Sequence, residues 1–128
     1  MTRPVEYLDL DDLIYLAGHL LGNPPPIRDV GLLGSAASRP PTTVMGTDAY
    51  PDLWQKAAAL LQSLVKSHPL VDGNKRLGWL ATAVFLEING VRVTTIPNED
   101  VYTFVIDVAA GSQEVSEIAA ELQRLTRR

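Results

Sequence analysis

The chain has 128 residues, of which 46% are apolar and 20% charged, so we expect one folded domain of ordinary size. Its net charge of -4 and scattered basic residues argue against nucleic acid as a principal ligand, and the lack of cysteine excludes disulfides, thiolate metal sites and cysteine nucleophiles. The N-terminus lacks a signal-peptide core and the apolar run LGWLATAVFL stops at Glu87, which predicts a cytoplasmic protein with no membrane partner.

Two helices are predicted in the N-terminal part of the chain. The first begins after Asp9, a residue type favoured at helix N-caps, and stops at Gly22. Its apolar residues recur at three- and four-residue spacings: Leu10, Leu13, Ile14, Ala17, Leu20 and Leu21. After the extended connector NPPP, a short second helix is predicted from about Asp29 to Pro40.

An exposed loop or small flap is predicted at residues 39–52, with the flap itself at about residues 41–49, because prolines, threonines and a glycine interrupt any helical period. Helical order returns at Pro51, a residue suited to the first turn of a helix, and must end by His68, because Pro69 follows. The buried stripe of this helix is predicted to be Leu53, Ala57, Leu60, Leu61, Leu64 and Val65.

Three more helices are predicted towards the C-terminus. One runs from about Asn74 to Asn89, stops at Gly90, and is apolar enough at its centre to be the core helix. The sequence VRVTTIP that follows predicts a short strand or an extended turn, and further helices start at Asn98 and Ser112. The whole pattern predicts a mostly α fold of about six helices in a single domain, residues 1–128.

A polar loop, HPLVDGNKR at residues 68–76, leads directly into the helix that starts at Asn74. A helix N-terminus presents unpaired N–H groups and a partial positive charge, so Lys75 and Arg76 are unfavourable there unless an anion binds. Gly73 lets the backbone approach a ligand closely, Asn74 can donate through its amide, and Arg76 can bind phosphate oxygens with two parallel bonds. These residues therefore predict a phosphate site.

Asp72 and His68 add a metal ligand and a base to this loop. A carboxylate beside a phosphate repels it unless a divalent cation lies between them, and Mg²⁺ binds one or two carboxylates together with phosphate oxygens and water. Neutral imidazole can accept the proton of an attacking hydroxyl, so the combination predicts nucleotide-dependent transfer of a phosphorus-centred group to a hydroxyl. Taken singly, each residue type is commoner as a helix cap, a loop residue or a solvated charge, so the prediction rests on their combination.

Other polar and aromatic residues are given structural roles. His19, beside two leucines on the first helix, is predicted to be a partly buried structural histidine. Arg28 and Asp29 are expected to cap or pair locally, or to help shape a groove, and Trp54 and Trp79 are expected to pack in the core or against a partner.

The loop resembles the signature of the Fic/Doc superfamily, HPFxxGNxR with an acid before the glycine, and looks like the Doc branch in particular. The similarity extends over nearly the whole chain, through IRDVGLLGSAASRP, AYPDLWQKAAALLQSLVKSHP and FLEING. It implies a helical Fic fold in which His68 is the catalytic histidine and Asp72 the metal-binding acid, with Leu70 in place of the usual phenylalanine. The phosphate-binding positions that it implies are Gly73, Asn74 and Arg76, and we predict that Lys75 between them contacts phosphate as well.

What the resemblance implies about function is a Doc-type toxin of a toxin-antitoxin pair. Such a toxin uses ATP and Mg²⁺ to pass the γ-phosphate to a threonine of elongation factor Tu, which halts translation. A small Phd-like antitoxin restrains it through a C-terminal segment that docks beside the active site. By the same resemblance, the flap aligns a segment of the target through main-chain pairing.

Two positions depart from the AMP-transferring members of the superfamily, whose motif is HPFxxGNGRxxR. Lys75 stands where their second glycine lies, and Trp79 stands where their second arginine lies. These two departures argue against AMP transfer. The alternatives to the kinase hypothesis are an AMP transferase on the same fold and a catalytically silent member that only binds its antitoxin. The nearest match to a self-inhibitory helix, TIPNED at residues 95–100, contains a proline and is poor, so we expect inhibition in trans.

Overall fold

A computed structural model describes residues 3–127 and arranges them as six α-helices and one two-stranded hairpin. In chain order the elements are α1 (Leu10–Leu21), α2 (Val30–Ser38), β1 (Thr43–Val44), β2 (Thr47–Asp48), α3 (Leu53–Ser67), α4 (Asn74–Ile88), α5 (Asn98–Ala110) and α6 (Val115–Thr126). The predicted mostly α fold of about six helices is confirmed. Within residues 3–127, no helix combines the length and the apolar character that crossing a membrane requires.

Aspartate side chains fix the starts of the first three helices. Asp9 accepts a hydrogen bond from Asp12 N at 2.9 Å, and Asp29 and Asp52 cap α2 and α3 in the same way. Each bond satisfies one of the amide groups that a helix N-terminus leaves unpaired. The predicted starts at Asp9 and Asp29 are confirmed, whereas Pro51 lies one residue before the N-cap and not in the first turn of α3.

The central helix is α3, which packs against α2, α4, α5 and α6. Its buried apolar residues are Ala57, Ala58, Ala59, Leu60, Leu61, Leu64 and Val65. The predicted stripe is confirmed except for Leu53, which stays partly exposed. The prediction that α4 is the core helix is wrong, because small alanines allow neighbours to approach α3 on several sides while part of α4 remains only half-buried.

A glycine brings α3 and α4 together next to the polar loop. A Cβ on Gly78 would lie 2.7 Å from Val65 Cγ1 and 3.3 Å from Leu61 Cδ1, closer than side chains normally pack. The missing side chain therefore lets the first turns of α4 rest on the last turns of α3. This contact fixes both ends of the loop between them.

The C-terminal elements agree with the sequence-based expectation in one place and differ from it in another. Residues 91–97 form the turn and not the strand of the two predicted alternatives, and α5 starts at Asn98 as predicted. The last helix begins at Val115 and not at Ser112, because Glu114 and Glu117 form a capping box at its N-terminus, with Glu114 N donating to the Glu117 side chain at 2.8 Å.

Candidate active site

The loop that joins α3 to α4 begins with His68, which ends α3 in the left-handed region at φ 56° and ψ 60°. Among residues 3–127, it and Met45 are the two residues other than glycine with a positive φ. Left-handed backbone stops a helix and turns the chain sharply away from its axis. The turn leaves the His68 side chain exposed at the end of the central helix.

Asn74 holds this loop in shape from the first turn of α4. Its Oδ1 accepts a hydrogen bond from Leu70 N at 2.9 Å, and its Nδ2 donates to Leu70 O at 3.0 Å. Leu70 itself is only 1% exposed, so it anchors the loop in the core. The same Nδ2 lies 3.5 Å from His68 Nδ1, at the outer limit of a hydrogen bond, which does not lock the imidazole in one tautomer. Phosphate binding by Asn74 stays a prediction.

Gly73 is the N-cap of α4 and has a φ of 86°, which a residue with a side chain rarely adopts. A Cβ there would also lie 2.8 Å from Leu21 Cδ1. The Gly73 N–H donates to Asp72 Oδ1 at 2.9 Å, so the carboxylate folds back over the loop. A phosphate that accepts from this N–H has to displace one carboxylate oxygen, and the contact stays a prediction.

Unlike α1, α2 and α3, which are capped by aspartate side chains, α4 has no side-chain cap among the described residues, and its first turn has no acidic residue. Lys75 and Arg76 lie in that turn with exposed side chains. Two cations next to the positive end of a helix repel one another and the helix dipole, so a bound anion relieves an unfavourable arrangement.

A cleft of about 480 Å³ collects all six predicted site residues. The loop and α4 contribute His68, Asp72, Gly73, Asn74, Lys75 and Arg76, and the opposite wall is formed by Ile106, Ala109 and Ala110 of α5. Sequence reasoning missed this wall, because apolar residues at three- and four-residue spacing on a helix look like ordinary core positions. The small alanines leave room for a ligand next to the loop.

The donor set fits a metal that arrives with a nucleotide. No group of three or more histidine, cysteine, aspartate or glutamate side chains that could hold a metal occurs within residues 3–127. Asp72 is exposed in the cleft, and only one of its oxygens, Oδ1, accepts the bond from Gly73. One carboxylate suits Mg²⁺, which takes its remaining ligands from phosphate and water. Metal binding by Asp72 stays a prediction.

The flap lies at the other end of α3 from the loop. Its strands β1 and β2 are antiparallel, with Thr43 opposite Asp48 and Val44 opposite Thr47, and Met45 at the tip is fully exposed. The hairpin falls within the predicted flap at residues 41–49. Its short strands leave open main-chain edges to which an extended segment can add.

The remaining polar and aromatic predictions have mixed outcomes. His19 is exposed near the end of α1, so the prediction of a partly buried histidine is wrong; successive helix positions point in different directions, and the half-buried side holds its neighbours Leu20 and Leu21. Asp29 caps α2 as predicted, whereas the Arg28 side chain bonds to Ser67 and His68, 39 and 40 positions away, and not locally. Trp79 packs edge-on against Phe104 of α5, with ring centroids 6.4 Å apart.

An apolar groove adjoins the cleft on the same side of the molecule. It has a volume of about 470 Å³ and shares Lys75, Arg76 and Ile106 with the cleft. Its other walls come from α1, α4 and α5: Leu20, Trp79, Leu80, Val101, Tyr102 and Val105. Lys75 and Arg76 therefore lie on the boundary between the polar cleft and the apolar groove.

The fold and the loop geometry agree with a comparison against protein families: the profile of the Fic/DOC family matches residues 7–86, which include α1 to α3, the loop and most of α4. The chain belongs to the Fic/DOC family, and the predicted resemblance is confirmed. It is 48% identical over 118 residues to Toxin Doc of Mycolicibacterium smegmatis, covering 91% of each protein. It is 29% identical over 123 residues to Protein kinase doc of Escherichia phage P1, covering 95% of this chain and 92% of that protein.

Proposed function

We propose that the chain is a cytoplasmic Doc-like toxin that transfers the γ-phosphate of ATP to a threonine hydroxyl, with elongation factor Tu as its target. The observation that carries this proposal is the meeting of a histidine, a carboxylate and a helix N-terminus with two cations in one cleft. The similarity to a phage protein named as a kinase supports phosphate as the transferred group.

In this reaction His68 accepts the proton of the threonine hydroxyl as its oxygen attacks the γ-phosphorus. The new oxygen–phosphorus bond forms while the bond from the γ-phosphorus to the bridging oxygen breaks, and ADP leaves. Lys75, Arg76 and the first amides of α4 bind the phosphate oxygens and offset their charge. Asp72 would hold the Mg²⁺ that accompanies ATP, and when bound this ion would further neutralise the charge of the phosphates.

Labelled ATP tests the identity of the transferred group. Purified protein is incubated with elongation factor Tu and with ATP labelled at either the α- or the γ-phosphorus. We expect label on elongation factor Tu from the γ-labelled nucleotide alone. Label from the α-labelled nucleotide alone would show an AMP transferase and contradict the kinase proposal.

The alternative of a silent, antitoxin-binding protein is tested by His68→Ala. This variant should transfer no label and should no longer arrest growth when it is expressed in cells without antitoxin. Unchanged growth arrest would show that catalysis is not the cause of toxicity. His19→Ala is the control, because this second histidine is exposed on α1 and does not line the cleft.

The choice between phosphate and AMP is assigned to Lys75 and Trp79. Lys75 occupies space beside the phosphate site that a glycine would leave open, and Trp79 packs against Phe104 where a cation would otherwise reach a phosphate. The double variant Lys75→Gly with Trp79→Arg should therefore gain transfer of α-label at the expense of γ-label. If the transferred group is unchanged in the folded double variant, these residues do not make the choice.

We propose further that a Phd-like antitoxin neutralises the protein by placing an apolar segment with a carboxylate in the groove beside the cleft. The groove walls are apolar, and Lys75 and Arg76 at its edge offer partners to a carboxylate. A segment bound there lies next to the cleft residues and blocks the nucleotide.

Tyr102→Glu tests this docking site. Tyr102 is 68% exposed on the groove wall, so a negative charge there should weaken antitoxin binding at least tenfold and leave phosphate transfer unchanged. Tyr15→Glu is the matched control, because Tyr15 is 73% exposed on α1 and does not line the groove. Calorimetry measures the affinity of each variant for the antitoxin. Equal affinities of the two variants would show that the antitoxin does not dock in this groove.

A further inference from the structure

The connector between α1 and α2 runs alongside the loop that carries His68. Arg28 N donates to Pro69 O at 2.8 Å, and Asp29 N donates to the same oxygen at 3.0 Å. On the other side, Val71 N donates to Pro26 O at 2.8 Å. The two segments are therefore paired through their main chains on the C-terminal side of His68.

The side chain of Arg28 extends this pairing to His68 itself. Its Nε donates to His68 O at 2.7 Å, and its Nη2 donates to Ser67 O at 3.0 Å. These carbonyls lie at the end of α3, where no further helical turn supplies N–H partners. A guanidinium presents two donors in a fixed plane, and its charge is favourable at the negative end of a helix.

The bonds from Arg28 take the place of a main-chain hydrogen bond that Pro69 cannot donate. A helix that ends in a left-handed residue is usually closed by a bond from the N–H of the following residue, but here that residue is Pro69, which has no N–H. His68 must therefore keep a backbone conformation that residues other than glycine seldom adopt, without the usual main-chain bond. Arg28 supplies donors from its side chain in the same place.

We propose that Arg28 is a positioning residue for the transfer reaction: by binding the carbonyls of Ser67 and His68, it keeps the His68 imidazole at the mouth of the cleft. Arg28 does not line the cleft, so it acts through His68 and does not contact the reactants. The inference rests on the proposed function, in which His68 is the base.

The kinetic test compares Arg28→Met with Arg28→Lys. Misplacing a reacting group by about 1 Å can cost on the order of 100-fold in rate. We therefore expect Arg28→Met to lower kcat by about 10- to 100-fold, with the KM values for ATP and elongation factor Tu changed less than about twofold. Arg28→Lys should recover only part of kcat, because an ammonium keeps the positive charge but lacks the planar pair of donors. Arg92→Met, at an exposed arginine before α5, should leave kcat unchanged.

A kcat for Arg28→Met equal to that of the wild type, at a temperature where both are folded, would contradict the proposal and leave Arg28 a purely structural role. A lower Tm for Arg28→Met without a lower kcat would likewise show that Arg28 has only a structural role. Should Arg28→Met fail to fold, Arg28→Lys decides: a kcat reduced at constant KM supports the proposal, and a wild-type kcat overturns it.

A second measurement does not need the reaction. The chain has two histidines, so a His19→Gln background leaves the imidazole of His68 as the single histidine ring signal in an NMR spectrum. In that background, Arg28→Met or Arg28→Lys should move this signal towards the position of histidine in an unstructured peptide. An unmoved signal overturns the inference. If the signal moves but the wild type transfers no phosphate, the proposed function fails while the positioning of His68 by Arg28 stands.

Discussion

Two features of Gly73 exclude a side chain, its backbone conformation and the closeness of Leu21, and substitutions can distinguish between them. Its φ of 86° disfavours any side chain, and a Cβ there would require Leu21 to move from 2.8 Å away. Gly90 has nearly the same φ, 89°, but has no atom within 4 Å of a Cβ built on it. The two glycines therefore share the conformational demand and differ in their surroundings.

Gly73→Ala should lower both stability and activity, whereas Gly90→Ala should lower stability alone. A non-glycine residue in the left-handed region costs about 1–3 kcal/mol, which both variants incur. At Gly73 the methyl group also disturbs the N-terminus of α4, so we expect phosphate transfer to fall at least tenfold. Urea unfolding and label transfer measure the two quantities, and equal transfer rates for the two variants would contradict a special role for Gly73.

The residue types of the site could be predicted from the sequence, but several of their contacts could not. A base, an acid and cations before a helix indicate phosphate chemistry, and the structure brings all six predicted residues to one cleft. The link from Arg28 to His68 spans 40 positions, and no local pattern reports a contact of that separation. The hydrogen bonds between the Asn74 side chain and the Leu70 main chain could not be predicted either, because an asparagine at the start of a helix usually suggests a cap.

At the scale of elements, two cations attach the flap to α3. Lys56 is only 2% exposed and donates through Nζ to Asp48 Oδ2 at 3.0 Å and to the carbonyl of Tyr50. Arg39 Nε donates to the Tyr50 hydroxyl at 2.8 Å, and Arg39 Nη1 donates to Gln62 Oε1 of α3 at 2.7 Å. Since β2 contains Asp48, the position of the hairpin depends on a buried ammonium.

Lys56→Met should therefore free the flap without disturbing the nucleotide site. If the flap aligns the target, the KM for elongation factor Tu should rise about tenfold, as for the loss of roughly one charged hydrogen bond. The KM for ATP should stay constant, because no flap residue lines the cleft. Arg92→Met removes an exposed cation outside both the flap and the cleft and should change neither KM. Faster proteolysis of the flap with an unchanged KM for the target would exclude target alignment by this hairpin.

The helices could be predicted closely, and the hairpin and the cleft wall could not. Caps such as Asp9 and Asp29 mark helix starts because their side chains bind the first amides of the helix. Strands of two exposed residues show no alternation, and the Met45–Gly46 turn lacks the Asn-Gly signal of a tight hairpin although both φ values are positive. The wall of α5 faces the cleft only because of tertiary packing.

At the scale of the whole molecule, the core reaches beyond the part of the chain that the family profile matches. That match ends at residue 86, yet α5 forms one wall of the cleft and α6 packs along α3. The buried residues of α6 are Ile118, Ala119, Leu122 and Leu125. Because α3 also carries His68 at its end, the support that α6 gives to α3 bears on the position of the base.

Leu122→Ala should destabilise the whole fold, and Glu121→Ala should not. Leu122 is 0% exposed against the core, and removing such a side chain costs about 2–5 kcal/mol through lost burial and the cavity that remains. Glu121 pairs with Arg124 on the surface, where a hydrogen bond from Arg124 lowers the pKa of the carboxyl. Because the folded-state pKa is the lower one, the contribution of that pair is present above the unfolded-state pKa and is lost as pH falls through the folded-state value.

The side chains of Arg124 and Glu121 are 57% and 42% exposed, so water screens the pair and its contribution at neutral pH is a small part of the loss expected for Leu122→Ala. Urea unfolding at pH 7 and at pH 3 tests both statements. Leu122→Ala should lose the same large amount at each pH, because no charge is involved, while the small difference between wild type and Glu121→Ala should be smaller at pH 3 than at pH 7. A two-step unfolding curve for Leu122→Ala, with α6 released before α3 unfolds, would instead show that the C-terminal helix is not part of one cooperative core.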